Sequence, residues 1–388
     1  MRERIFIVMI HDLVSYPPMQ SLLYALSEHN LDVFLVGMCS DAKTCEVFEK
    51  RGVSFINIDG SLSGGQINRI IQQHKYRKAL LKMMKSYRIS KKDLLWFEYS
   101  YAVHMLAKEL KKYRYVAHFY EFVNENLSWK YKLLYPWFSM KKYLQDAAAV
   151  IHCEYNRAII TKGLYELTSM PYVLPNKPYF EESIFEDIPQ DIQQRLDAFN
   201  ARTDNKKIIL YQGVFESNER RLEEFCQAIE VLPREYVFVA MGSGGDYYRS
   251  LKEKYESDRC LFVPFIRPPY HLLVTQRASI GVLTYYPLNA SFAGVINPLY
   301  CAPNKIFEYS KYGIPMIAND IPGLKYIFEC YHCGKVVTYP ITSTKIASTI
   351  LSITKDECII KDGSRNYYDS VDFSKIVKSI IDEVVKYS

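Results

Sequence analysis

Pro303-Asn304-Lys305-Ile306-Phe307-Glu308-Tyr309-Ser310-Lys311-Tyr312-Gly313-Ile314-Pro315-Met316-Ile317-Ala318-Asn319-Asp320 reads as a short helix, a glycine stop and a buried strand. Pro303 suits a first-turn position, Gly313 a C-cap that needs positive φ, and Pro315 prevents the helix from continuing. Ile314 to Ala318 then reads as a core strand. Glu308 falls inside the helix, beside the mouth of that strand. A helix start offers free amides to an anion, and a nearby carboxylate accepts hydrogen bonds from sugar hydroxyls. Together they describe half of a nucleotide-sugar site.

Working outward, strand-like runs alternate with helical patterns along the whole chain. Arg4–Met9, Val33–Val36, Val53–Ile58, Leu94–Glu98, Val116–Tyr120, Ala149–His152 and Tyr172–Leu174 read as strands in the first half. Ile208–Tyr211, Tyr236–Ala240, Leu261–Pro264, Ile280–Leu283, Ile314–Ala318 and Lys335–Thr338 read as strands in the second. Helical periodicity fills the gaps, as at Met19–Glu28, Ile67–Tyr87, Leu222–Leu232 and Phe373–Tyr387. Such alternation predicts α/β units with parallel sheets. Pro175-Asn176-Lys177-Pro178 and the acidic run after it mark a linker. The expected organisation is residues 1–177, 178–370 and a final helix at 371–388. Ligands of such sheets bind at the carboxyl ends of the strands.

At 388 residues the chain exceeds a single core, and its 49% hydrophobic content is that of a globular protein. The apolar run Ile5–Ile10 is too short for a membrane span or a signal peptide, so the expected location is the cytosol or the cytosolic face of a membrane. The nine scattered cysteines fit free thiols in a reducing compartment. Cys330-Tyr331-His332-Cys333 has CxxC spacing, but nothing completes a zinc site.

The turn after Ile208–Tyr211 reads Gln212-Gly213-Val214-Phe215-Glu216-Ser217-Asn218-Glu219-Arg220-Arg221-Leu222. With Ser217 or Asn218 as cap, Arg220 and Arg221 fall in the first turn of the next helix. The macrodipole disfavours cations there, unless an anion is shared between them and the helix end. Gly213 permits close approach of a ligand to the backbone. Asn304, Lys305 and Ile306 open the Glu308 helix, where amides and an ammonium can meet a diphosphate. In the first half, His118-Phe119-Tyr120-Glu121 ends one strand, and His11-Asp12 follows another. The glycine turn Met241-Gly242-Ser243-Gly244-Gly245 lacks the lysine of a phosphate loop and reads as chain geometry.

These segments resemble the GT-B glycosyltransferases, most closely glycosyltransferase family 4, whose donor motif PxK-x-x-EY-x-x-x-G-x-P matches Pro303 to Pro315. The resemblance implies two Rossmann-like domains facing a central cleft, with the C-terminal helix crossing back to the N-terminal domain. It implies that Glu308 binds the ribose and Arg220, with Arg221 close behind, the diphosphate of the donor. Val263-Pro264-Phe265-Ile266 corresponds to the segment whose backbone faces the base. Tyr120 aligns with the family's histidine near the donor sugar, Glu121 with the following glutamate, and His118 lies two residues earlier. His11 and Asp12 are expected at the acceptor. Two family positions differ: Tyr300 stands where a second glutamate is common, and Val214 where an arginine is.

The implied activity is transfer of a sugar from a UDP- or GDP-sugar to an acceptor hydroxyl, with retention, in bacterial surface polysaccharide or glycolipid synthesis. No cofactor or metal is expected, and no nucleic-acid partner. A nucleotide-sugar epimerase, a phosphorylase or a non-catalytic subunit of a transferase stays open, the last because of Tyr300, Val214 and Tyr120.

Charge is unevenly spread. Between Gly60 and Lys92 there is no acidic residue, while Arg69, Lys75, Arg77, Lys78, Lys82, Lys85, Arg88, Lys91 and Lys92 are basic. Trp129 to Tyr143 mixes Lys130, Lys132, Lys141 and Lys142 with Trp129, Tyr131, Tyr135, Trp137 and Phe138. Aromatics beside lysines suit an anionic membrane surface, and a solvated basic helix with core aromatics is the rival reading.

Overall fold

The computed structural model describes residues 2–126, 128–288 and 291–386. Among the described residues thirteen strands form two sheets. The first holds β1 (Glu3–Asp12), β2 (Leu31–Met38), β3 (Val53–Asn57), β4 (Leu94–Glu98), β5 (Arg114–Phe119), β6 (Ala149–His152) and β7 (Tyr172–Val173). The second holds β8 (Lys207–Gln212), β9 (Tyr236–Gly242), β10 (Cys260–Pro264), β11 (Ile280–Leu283), β12 (Met316–Asn319) and β13 (Gly334–Val337). Every pairing is parallel. The central strands are buried on both faces, which explains their continuous apolar runs: all five residues of β4 and all seven of β9 are buried.

Strand order is β3-β2-β1-β4-β5-β6-β7 in one sheet and β10-β9-β8-β11-β12-β13 in the other. Each order reverses once, between β1 and β4 and between β8 and β11. At such a reversal the two neighbouring connections leave in opposite directions and open a crevice at the carboxyl ends of the strands.

The chain divides into one unit of residues 1–180 with 372–388, and another of 181–371. The C-terminal helix, described as Phe373–Lys386, thus belongs with the first sheet, and the last two residues lie outside the described set. Phe373, Val377, Ile380, Ile381 and Val384 are buried in the cluster of Ile5, Ile7, Leu22 and Leu26. Each such side chain contributes about 1.5–3 kcal/mol by leaving water. Arg114 Nη1 also donates to the Val384 carbonyl at 3.1 Å.

Around the diagnostic stretch, the helix spans Asn304–Lys311 with Pro303 as its N-cap, one position before the expected first turn. Gly313 has φ of 65°. Its amide reaches Ser310 O at 2.9 Å, and the Ile314 amide reaches Tyr309 O at 3.0 Å. This is the glycine-closed helix end that the sequence calls for. β12 begins at Met316, two residues later than expected. Among the described residues no helix is long and apolar enough to cross a membrane.

Candidate functional site

In the second unit, functional groups gather where β8 and β11 diverge. Gln212 is the last residue of β8, and Glu308 projects from the helix leading to β12. Gln212 Nε2 donates to Glu308 Oε2 at 2.5 Å, while Thr275 Oγ1 donates to Gln212 Oε1 at 2.7 Å. The carboxylate, which only accepts, therefore fixes which way the amide points. His271 Nε2 lies 3.1 Å from Glu308 Oε1. Burial raises the Glu308 pKa, but the charge and hydrogen bond of His271, the Gln212 amide and Lys305 outweigh it, and the net shift is downward. Glu308 is thus an ionised, oriented carboxylate only 5% exposed. Each oxygen uses one partner and keeps a lone pair for a further donor.

Arg220 and Lys305 converge on one ring. The Arg220 guanidinium lies 4.1 Å from the Tyr285 centroid, and the Lys305 ammonium lies 5.2 Å from the same centroid and 4.4 Å from that of Tyr211. Aromatic faces attract both cations. Arg220 has a partial counterion, Glu219 Oε2 at 3.2 Å. Among the described residues no carboxylate pairs with Lys305. Burial and the neighbouring Arg220 lower its pKa to about 7, with Glu308 pulling the other way. Two cations brought together, only one of them paired with a carboxylate, define a place for an anion.

Backbone geometry leaves room there. Gly213 has φ of 136°, and a Cβ on it would come 3.3 Å from Lys305 Nζ. A Cβ on Gly242 would strike the Gly213 carbonyl at 1.9 Å, so the turn after β8 and the end of β9 are in contact. Tyr285 is held in place by Asn319 at the end of β12: Asn319 Oδ1 accepts from Tyr285 N at 2.8 Å, and Nδ2 donates to Tyr285 O at 2.7 Å.

One local expectation is corrected. The helix after β8 runs Glu223–Val231 with Leu222 as N-cap, not from Ser217 or Asn218. Arg220 and Arg221 precede it, and its first turn carries Glu223 and Glu224, which suit the macrodipole. The turn is instead pinned by Tyr211, whose hydroxyl donates to the Val214 carbonyl. Arg221 stacks on Tyr286 at 4.7 Å, away from the Tyr285 ring shared by Arg220 and Lys305. Val214 is exposed, and Tyr300 caps the C-terminus of the helix Phe292–Leu299. Phe265 follows β10 with its ring half-exposed and its carbonyl accepting from Arg195 at 2.8 Å, while Ile266 is buried.

The first unit has a polar cluster at its own crevice. His11 and Asp12 end β1, and Glu98 ends β4. His11 Nε2 is 3.6 Å from Glu98 Oε1, and the His11 ring stacks on Tyr16 at 5.2 Å. Glu98 is buried, its Oε2 has no partner among the described residues, and burial raises its pKa to about 7 against the pull of the Tyr16 hydroxyl and the Ile10 backbone. Asp12 Oδ1 accepts from Val14 N at 3.0 Å and Ser40 N at 3.2 Å, a capping task. His118 is buried in β5, accepting from Trp96 Nε1 at 3.2 Å on Nδ1, and burial lowers its pKa to about 3. Its ring lies 4.4 Å from that of Tyr120. Tyr120 buries a hydroxyl with no partner among the described residues, whereas Glu121 is exposed.

The structure therefore brings together Gly213, Arg220, Lys305 and Glu308 in one unit, and His11, Glu98, His118 and Tyr120 in the other. Gln212, His271, Thr275, Tyr211, Tyr285, Asn319 and Glu98 carry no motif of their own. Only their place at strand ends, or for His271 and Thr275 at the ends of a short helix, could have singled them out. Among the described residues no group of three or more His, Cys, Asp or Glu side chains could hold a metal ion.

No protein-family model matches the chain, and no curated protein matches it. Solved structures do. Anabaena HepE in complex with UDP-glucose aligns over 99% of this chain and 98% of its own, with a TM-score of 0.65 at 14% identity. A glycosyltransferase from Rickettsia africae aligns over 100% of both chains, with a TM-score of 0.66 at 13% identity. WaaG, a glycosyltransferase involved in lipopolysaccharide biosynthesis, aligns over 98% of this chain and 99% of its own, with a TM-score of 0.57 at 13% identity. The likeness is one of architecture, and the chain has the α/β GT-B fold.

Proposed function

We propose that the chain is a glycosyltransferase that moves a sugar from a UDP- or GDP-sugar to an acceptor hydroxyl, with retention, in cell-surface polysaccharide or glycolipid synthesis. The observation that carries this reading is the pairing of Arg220 with Lys305 over Tyr285, in the unit that also holds the oriented Glu308 carboxylate. In this reading the cations take the diphosphate, together with the amides of Asn304, Lys305 and Ile306. Glu308 accepts hydrogen bonds from the ribose hydroxyls. Phe265 and Ile266 face the base. Charge grows on the departing diphosphate as the anomeric bond breaks, and preorganised cations lower that barrier without a metal. The acceptor hydroxyl is assigned to the crevice of the first unit, at His11 and Glu98, with Tyr120 and Glu121 beyond it.

The experiment is calorimetric titration of the full chain with UDP, GDP, uridine and guanosine. One diphosphate binds at least tenfold more tightly than its own nucleoside. Equal affinities, or no binding of either diphosphate, overturn the assignment. Hydrolysis or transfer from the matching nucleotide sugar then separates an enzyme from a non-catalytic subunit.

Lys305 gives the site a pH signature. With its pKa at about 7, the free amine is largely neutral at pH 8, and an anion beside it restores the proton. Diphosphate binding at pH 8 therefore takes up about 0.9 proton, and affinity falls by up to about tenfold per pH unit above 7. Titration in buffers of different ionisation enthalpy measures the uptake. Zero uptake would place Lys305 away from the phosphate.

A further inference from the structure

The first unit carries an exposed apolar and basic face with no part in either site. The helix Gln66–Ser86 buries Tyr76, Leu80, Met83 and Met84 on one side. Ile67, Ile71, His74, Lys78, Lys82 and Lys85 follow at spacings of three and four, so they form one stripe on the opposite side, and all six are exposed. Lys78, Lys82 and Lys85 make no ion pair among the described residues. The short helix Trp129–Leu134, which buries none of its residues, adjoins the same helix. It is tied in place by Tyr135, whose hydroxyl donates to Gln73 Oε1 at 2.8 Å. His104 supports it too, 5.5 Å from the Tyr131 ring and 5.0 Å from the Tyr135 ring.

Its anchoring rings face inward while its largest apolar groups face water. Trp129 is 70% exposed, Leu133 73%, Trp137 69% and Ile67 76%. Lys130 lies 5.8 Å from the Trp129 ring and Lys108 5.4 Å from the Trp137 ring. A soluble surface seldom exposes two indoles and two aliphatic side chains on adjoining elements. A protein partner would gain from such groups without needing the lysines. A bilayer of anionic lipid uses both, taking indoles at headgroup depth and lysines at its negative potential. Glu109, on the neighbouring helix Tyr101–Leu110, is already paired with Arg77 at 2.5 Å.

We infer that Ile67, Ile71, Trp129, Leu133 and Trp137, with Lys78, Lys82 and Lys85, form a docking face for the interface of an anionic membrane. Binding needs no sugar donor, so this inference stands or falls apart from the transferase reading. The chain has three tryptophans, and Trp96 is fully buried, so Trp129 and Trp137 report on the face. The full chain is floated with vesicles of phosphatidylcholine alone, or with phosphatidylglycerol added, in 0.1 M and 1 M salt. It floats with the anionic vesicles in low salt, and its tryptophan emission shifts to the blue. The variant K78Q/K82Q/K85Q partitions roughly a hundredfold more weakly, about fivefold per lysine. W129S/L133S/W137S loses what binding remains in 1 M salt. These residues are exposed, so both variants should keep the parent thermal transition. Absence of flotation with anionic vesicles overturns the inference, as does flotation that both variants leave unchanged. Self-association abolished by the serine variant, without lipid binding, overturns it in favour of a second copy of the chain.

Discussion

On the proposed reading, Arg220→Ala lowers turnover about 10²–10³-fold while changing nucleoside affinity little, because the guanidinium would act on charge that grows as the donor bond breaks. The structure sharpens this expectation. Arg220 rests 4.1 Å from the Tyr285 centroid and 3.2 Å from Glu219 Oε2, so it is positioned before any ligand arrives. Pre-positioning removes the cost of reorganisation at the moment of reaction. Removing the guanidinium also removes a cation that disfavours charge on Lys305, so the Lys305 pKa rises in the variant. Diphosphate affinity then loses less than turnover, since the ammonium is charged over a wider pH range. Arg220→Lys restores charge but not the planar fork, and recovers only part of the rate. The measurements are kcat with the best nucleotide sugar and Kd for nucleoside and diphosphate. Equal losses in nucleoside affinity and turnover would make Arg220 a structural residue of the turn.

How much of this was legible beforehand differs between fold and site. Parallel strands buried on both faces announce themselves as apolar runs, so β4, β6 and β11 coincide with the expected ranges. Helix ends governed by glycine were also readable, because Gly313 needs a conformation that few other residues tolerate. The turn after β8 was not. Ser217 and Asn218 are good caps, yet the helix starts at Glu223, since the Tyr211 hydroxyl and the close contact of Gly213 with Gly242 dictate the path of the loop. The second is a contact between segments distant in sequence, and local propensity cannot see it. The same limit hid His271, Gln212 and Glu98. Each is an ordinary residue at the end of a strand or the start of a short helix, and its chemistry comes from where strand order reverses. His118 is the opposite case. Its residue type suggests chemistry, but its place within β5 buries it against Trp96.

Glu308→Gln weakens nucleoside binding by about 1.5–3 kcal/mol, roughly 10- to 150-fold, the range for hydrogen bonds to a charged group. Glutamine keeps the shape of the side chain but replaces one acceptor oxygen with a donor. Gln212 Nε2 and His271 Nε2 already face the two carboxylate oxygens, so in the variant one of them meets an N–H or the new amide must turn. On the proposed reading the ribose hydroxyls lose their anionic acceptor in either case. The substitution also touches stability, and the sign can be worked out. The folded-state pKa of Glu308 lies below its ordinary value of 4.5, so the carboxylate contributes stability above that pH and loses it as pH falls through the folded-state pKa. The variant lacks this acid-sensitive contribution, so its thermal transition lies below the parent's at pH 7 and approaches it in acid. A ribose role and a purely structural role therefore predict different things. The first lowers affinity for uridine or guanosine in a protein that is still folded, and lowers it as much for the diphosphate. The second moves only the transition temperature. Calorimetry at pH 7 beside a pH series of melting curves distinguishes them, and unchanged nucleoside affinity in the folded variant would remove Glu308 from the site.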